Sequence, residues 1–402
     1  MLGFIIPNAW LSNKYASKVR ELLINETEIN YLINFNRKII FEDANVETSI
    51  FIIRNAFPTS EKETLVGQDI GSEYIYNQFE WKNNQNFLMS FAPNKHINLI
   101  IQKLNSSDAK LSDKLDISNG IKPYQVGYGI NNDGLPLTPD DVKNKIYHSK
   151  IKKDETYKKE LKGKGVHRYL LTWEESYIKW GKWLMSPKDQ HYFEQPKILI
   201  RQIISNYFYA VLDNNKYYAD QSTYICTNYP DRDENLGYYL ALINSKLYGF
   251  YFRKFYSEED DLFPKIKVNE LKNLPIKTIS SDAQNLFFLK TTEMLNYNKV
   301  LNEKKLTFIN RLKDNLDIEK VSNKLESFYD YDFKNFITEL KKQKIVFSLD
   351  LQDEWEVYFN SYKAEINQLQ FDINKTDKEI DQMVYELYDL TEEEIKIVES
   401  NH

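Results

Sequence analysis

The run LIRQII sets Arg201 beside Gln202. Arginine and glutamine are the two side chains that pair with guanine and adenine edges through two hydrogen bonds at once. A purely structural use is equally open, with Arg201 pairing an acid such as Asp220 to hold strands together. Upstream, residues 143–168 carry a net charge of +7. Lys150, Lys152, Lys153, Lys158, Lys159, Lys162, Lys164 and Arg168 are candidates for phosphate contact, because lysine and arginine fix a protein's position on a nucleic-acid backbone. Gly163 and Gly165 would let the main chain approach a duplex, and the alternative is a solvated charged face. Tyr124, Tyr128, Trp180 and Trp183 are aromatic enough to wedge or stack, or simply to pack a core.

Other chemistries are poorly supplied. The one cysteine, Cys226, excludes an internal disulfide and a cysteine zinc cluster, and points to a reducing compartment. Asp69 with Glu80, Trp81 and Lys82 superficially matches a metal-dependent nuclease pattern. The acidic SEEDD run at 257–261 could bind a cation or form a solvated loop. No apolar run approaches the ~20 residues that span a bilayer, so the expectation is a soluble cytoplasmic protein without a membrane partner. The net charge of −6 argues against a polyanion partner only for the chain as a whole. Residues 116–278 sum to +4 and residues 279–402 to −9, and screening over about 10 Å limits what a distant acid can cancel.

The elements that must position these groups read as α+β and multidomain. GFIIP at the N-terminus reads as a buried strand, with Ser12 capping a helix whose apolar face holds Tyr15, Val19, Leu22 and Leu23. Residues 50–53 are apolar in succession, as in a central strand covered on both faces. Together residues 1–57 resemble the last third of a doubly wound domain without its first strands, followed by a connector at 58–115. Residues 116–278 read as a mixed α/β unit, with strands in KILIRQII, YFYAVLD and YYADQSTYICT and one helix through Leu236, Leu240, Ile243, Leu247 and Phe250. From Ser281 the chain turns helical and acidic, and Thr391 with Glu394 forms a capping box.

GFIIPNAWL, IIFEDANVETSIFII, GIKPYQVGYGI, YFEQPKILIRQII, LALINSKLYGFYFRKF and FPKIKVNELKNLPI, in that order, resemble adenine-specific DNA methyltransferases of the TaqI type. The large type IIG restriction-modification proteins, with their TaqI-like C-terminal specificity domain, are the nearest likeness. The resemblance implies a C-terminal remnant of the Rossmann-like methyltransferase domain at 1–57, a target recognition domain at 116–278 and a bracing helical region at 279–402. It also implies that Phe41 stacks on the flipped target base, where a plain core position is the other reading. In the family a glycine loop for S-adenosylmethionine and an Asn-Pro-Pro-Tyr type motif precede the strand like GFIIPN. No Asn-Pro-Pro or Asp-Pro-Pro occurs here and no G-x-G precedes Gly3. The expectation is therefore a DNA-recognition part with no catalytic residue and no cofactor site of its own. It would be a cloned piece, a truncated frame or half of a split enzyme, binding double-stranded DNA and drawing on the missing N-terminal methyltransferase part as a separate chain. The alternative is a non-enzymatic specificity subunit that docks on a catalytic chain.

Overall fold

The apolar run at 50–53 lies not in a central strand covered on both faces but in the strand next to the edge of a five-stranded sheet, with Ile50, Ile52 and Ile53 half-buried, in the computed structural model, which describes residues 1–41, 46–256, 265–316, 318 and 320–400 without the side chains of 14, 37, 39 and 85. β3 (Glu47–Arg54) pairs antiparallel with β1 (Leu2–Pro7) and with β2 (Glu28–Ile39). β2 runs parallel to β4 (Glu63–Gly67), which pairs antiparallel with β5 (Tyr74–Asn77). Residues 58–115, read from the sequence as connector, thus supply two strands of this sheet.

Paired residues share a face, so the register separates two surfaces. Phe4, Phe51, Leu32, Val66 and Tyr74 form one row, packed with Leu23, Ile24 and the buried Trp81. Gly3, Ile52, Tyr31, Leu65 and Ile75 form a row on the other face, where Leu65 and Ile75 are exposed. β1 is an exposed edge rather than a buried strand.

The first helix also departs from its apolar stripe. α1 (Ser17–Glu26) follows a short turn at Lys14–Ala16, and Ser12 does not cap it. Tyr15, Val19 and Leu22 are exposed, whereas Arg20 is fully buried. Its guanidinium donates to the carbonyls of Trp10 (2.6 Å), Asn13 (2.8 Å), Asn86 (2.8 Å) and Phe87 (3.0 Å). A buried charge demands that many partners, and meeting them turns the apolar stripe outward.

The central region holds two four-stranded sheets. One has the order β14–β13–β16–β7, from β7 (Leu115–Asn119), β13 (Lys197–Arg201), β14 (Ala210–Asp213) and β16 (Thr223–Asn228). The other has the order β15–β9–β12–β8, from β8 (His148–Ser149), β9 (Tyr157–Leu161), β12 (Ser176–Lys179) and β15 (Tyr218–Ala219). β10 (Val166–His167) and β11 (Leu170–Leu171) make a hairpin, and β6 (Ala109–Lys110) pairs with β17 (Pro275–Ile276). Alternation along β13 sends Leu199 into a core with Leu161, Val166, Ile178 and Phe193. Ile198 and Ile200 point into a second core, which holds α2 (Lys95–Asn105), α6 (Leu236–Asn244) and α7 (Lys246–Phe255). α6 and α7 were expected as one helix; Ser245 is extended between them and its hydroxyl accepts from the Tyr248 amide. Four short helices, α3 (Leu111–Lys114), α4 (Pro139–Lys143), α5 (His191–Glu194) and α8 (Val268–Lys272), fill connections.

The acidic end is helical, as its pattern requires. α9 (Ser281–Leu316) and α12 (Leu349–Leu387) pack along each other. α10 (Asn323–Glu326) and α11 (Phe333–Lys342) close a separate core around Phe308, Phe328, Trp355 and Phe359. α13 (Glu392–Ser400) begins at the expected capping box of Thr391 and Glu394. No helix of the described residues is long and apolar enough to cross a membrane.

Candidate nucleic-acid interface

The basic strip does not form one face. Lys158 and Lys159 are successive residues of β9 and so point to opposite sides of it. Lys158 lies over the Tyr218 ring, 5.9 Å from its centre. Lys152 pairs with Glu155 at 2.7 Å and Lys153 lies over Tyr157. The other four lysines converge on the short segment 172–174. Lys159 sits 4.9 Å from the Trp173 ring centre, and Lys164 pairs with Glu174 at 2.6 Å. Lys150 reaches the Glu174 carbonyl at 3.5 Å. The Glu174 carboxyl is held below its usual range, first by its bond to Lys164 and further by the fields of Lys162 and Lys150. Lys164 and Glu174 are both at least half exposed, and solvent screening leaves such a pair little net stabilisation. A phosphate oxygen can therefore replace the carboxylate at little cost.

Arg201, at the end of β13, lies near His167, which in turn bonds Thr172 of that segment. Its guanidinium stacks near Tyr209, 5.5 Å from the ring centre. His167 shares its ring nitrogen with the Thr172 hydroxyl at 3.0 Å, and burial, reinforced by the Arg201 charge, lowers its pKa. The structural alternative for Arg201 is not adopted: Asp220 instead accepts from the Ser222 amide (3.0 Å) and hydroxyl. Among the described residues Arg201 has no acid within ion-pair distance. Gln202 follows at a bend and is almost buried. The hub at 172–174, His167 and Tyr209 carried no mark in the sequence, since only the fold brings them beside the lysines.

Arg168 is turned away from this cluster. It grips Asp377 of α12 with both Nη atoms, one at 2.7 Å, and donates through Nε to the Asn244 carbonyl at 2.9 Å. Next to it burial, with help from Asp377, pushes the Asp381 carboxyl up to about 6. Lys246 (3.6 Å from Asp381) and Lys103 (2.6 Å from Glu394) likewise bind the acidic end, so the tail braces the central sheets through its acids. Gly163 and Gly165 are buried: an added Cβ would lie 2.5 Å from the Ser222 hydroxyl or 2.3 Å from the Thr172 carbonyl. Their smallness serves internal packing rather than approach to a ligand.

Three of the four aromatic candidates are engaged within the fold. Tyr124 stacks on Tyr147 at 5.2 Å, while the indoles of Trp180 and Trp183 donate to the carbonyls of Pro187 (2.8 Å) and Lys179 (3.0 Å). Tyr128 is exposed. Phe41, just past β2, is also exposed rather than a core residue. The nuclease-like residues do not converge: Asp69 binds Lys38, Glu80 accepts from Gln102 at 2.8 Å, and Lys82 lies over Phe79. The SEEDD run at 257–261 lies outside the described residues. Among those described, no group of three His, Cys, Asp or Glu is placed to hold a metal ion. Burial pushes the Cys226 thiol far up, away from nucleophilic use.

Residues 158–276 match the family model described as the TaqI-like C-terminal specificity domain. Residues 280–384 match a domain of unknown function, DUF8810. Among solved structures, the type IIL restriction-modification enzyme MmeI in complex with DNA aligns with 97% of this chain at 11% identity and a TM-score of 0.43. The type IIG restriction endonuclease BpuSI aligns with 72% at 11% identity and a TM-score of 0.33, and the ATP-dependent type ISP restriction-modification enzyme LlaBIII bound to DNA with 73% at 11% and 0.31. The chain spans 47%, 42% and 25% of their respective lengths. No curated protein matches it.

Proposed function

We propose that this chain, whose residues 158–276 match a TaqI-like C-terminal specificity domain, reads double-stranded DNA for an adenine-specific methyltransferase of a type IIG restriction-modification system. The observation that carries the reading is the convergence of Lys150, Lys159, Lys162 and Lys164 around 172–174, with Arg201 near His167, which bonds Thr172. Lysines there supply phosphate contacts that set register, and Arg201, with no acid in ion-pair distance among the described residues, supplies a fork for a guanine edge. Replacing Arg201 by Met is the test. Discrimination against a changed base pair should fall by about 1–3 kcal/mol, with the salt dependence of binding shifted by no more than about one unit. Unchanged sequence preference would return Arg201 to a structural role.

The chemistry would come from elsewhere. Adenine's exocyclic amine is a poor nucleophile that needs a positioned base and a bound methyl donor, and our reading assigns both to a separate catalytic module. S-adenosylmethionine would bind the catalytic module, and Phe41, exposed beside that region, would stack on the flipped base. The N-terminal sheet supports such a module. A sheet that is apolar on both faces belongs between two layers, yet Ile5, Leu65 and Ile75 face water, and β1 is an open edge. A catalytic α/β module that adds a strand to β1 and helices to this face would satisfy both. The 402-residue chain alone should incorporate no methyl groups into DNA, with transfer appearing when a catalytic module is supplied. Transfer by the chain alone would sink this part of the reading. A specificity subunit without enzymatic past differs from it only in the partner's gene, which would be separate.

A further inference from the structure

We propose that residues 125–135 form a rigid apolar wedge that enters the DNA duplex beside the lysine cluster, an inference that rests on the DNA reading above. Within these residues Val126 is 52%, Tyr128 57%, Ile130 49% and Leu135 61% exposed. Loops usually hide such side chains by bending; this backbone is tied too firmly to do so. The Gly127 amide donates to the Leu137 carbonyl (2.9 Å), Ile130 to Trp183 (2.9 Å) and Asn131 to Leu135 (2.7 Å). The Asn131 side chain accepts from the amides of Asp133 and Leu135, both at 3.0 Å. Gly129 has φ +72° and fits where a Cβ would lie 2.8 Å from the Trp183 carbonyl, so the positive φ and the close approach both require glycine.

The root of the loop is joined to the proposed interface. Tyr124 bonds His148 at 2.8 Å, His148 bonds the buried Glu160 at 2.8 Å, and Lys162 stands 3.7 Å from the same carboxylate. Burial raises the Glu160 pKa, but His148, Ser176 and Lys162 outweigh it and keep the group below its usual value. Exposed Lys143 and Lys145 follow Asp141, which accepts from the Asn131 side chain at 3.3 Å, and exposed Lys182 precedes Trp183, whose carbonyl accepts from the Ile130 amide. Lysine is depleted in the cores of protein interfaces, so an apolar tip set among lysines fits a polyanion with stackable bases. Apolar side chains pushed between base steps unstack and bend the duplex. Asp133 sits at the far turn, which makes Val126 and Tyr128 the leading residues.

The double substitution Val126→Ser with Tyr128→Ser tests the wedge on a 30-base-pair mixed-sequence duplex carrying a dye at each end. The wild type should shorten the end-to-end distance by energy transfer. The variant should keep the wild-type melting temperature and salt dependence, bind at least ~10-fold more weakly and leave the duplex straight. Equal affinity and equal bending for both proteins would overturn the wedge while leaving the lysine cluster intact. A wild type that does not bind the duplex in a salt-dependent way would remove the DNA reading itself, and the wedge with it.

Discussion

Changing Lys150, Lys159, Lys162 and Lys164 together to Gln is expected to weaken duplex binding on the order of 10²–10³-fold near 0.15 M salt. Each phosphate contact adds about 0.9 to the slope of log affinity against log salt, so four lost contacts flatten that slope by about 3–4. Glutamine keeps most of the aliphatic stem, which matters for Lys159 over Trp173. The variant should stay folded, because the Lys164–Glu174 pair is exposed and weak, and the buried Glu160 that loses Lys162 keeps its closer bonds from His148 and Ser176. The matched comparison is Lys152 with Lys153, which the fold sends toward Glu155 and Tyr157. Changing that pair to Gln should cost far less. Equal losses from both sets would mean diffuse attraction rather than a built contact.

The largest expected effect on stability lies behind Arg201, at the other end of β13. Lys197 and Asp213 are both fully buried and pair at 2.7 Å between β13 and β14. Burial lowers the Lys197 pKa, and Asp213 partly restores it. The pair is completed by bonds from Lys197 to the Phe193 carbonyl (2.8 Å) and to Asp213 from the amides of Asn215 (2.7 Å) and Tyr217 (2.9 Å). Asp213→Ala would strand a buried ammonium and two amides, and should cost about 3–5 kcal/mol in chemical denaturation. Lys197→Met with Asp213→Leu removes both charges at similar volume and should recover the part of the loss due to the stranded ammonium, leaving the cost of the Asn215 and Tyr217 amides without their acceptor. A single substitution that costs under ~1 kcal/mol would show that water reaches the pair.

How much of this was legible beforehand depends on distance along the chain. The strand segments KILIRQII and YYADQSTYICT, the long helix from Ser281 and the cap at Thr391 follow from patterns a few residues wide, and the fold adopts them with the first strand ending at Arg201 and the second segment split into β15 and β16. Arg168 looked like one more member of a basic strip because its partner, Asp377, is 209 residues away. Arg20 was hidden in the same way: its four carbonyl partners come from two other segments, and their demand overrode the apolar stripe of α1. Gly163 and Gly165 suggested freedom toward a ligand, while the actual constraint comes from Ser222 and Thr172. Lysine count marked the right neighbourhood, but strand alternation in β9 decided which lysines meet. Nothing in the residues 172–174 themselves announced a hub, since Thr, Trp and Glu acquire that position only when the hairpin and β13 come together.

The most direct measurement is the affinity of the unmodified chain for a mixed-sequence duplex at 50 and 200 mM salt. Four or more phosphate contacts require a drop of at least about 10²-fold across that interval. Affinity that stays level between the two salt concentrations, or no binding at either, would contradict a chain built to grasp DNA.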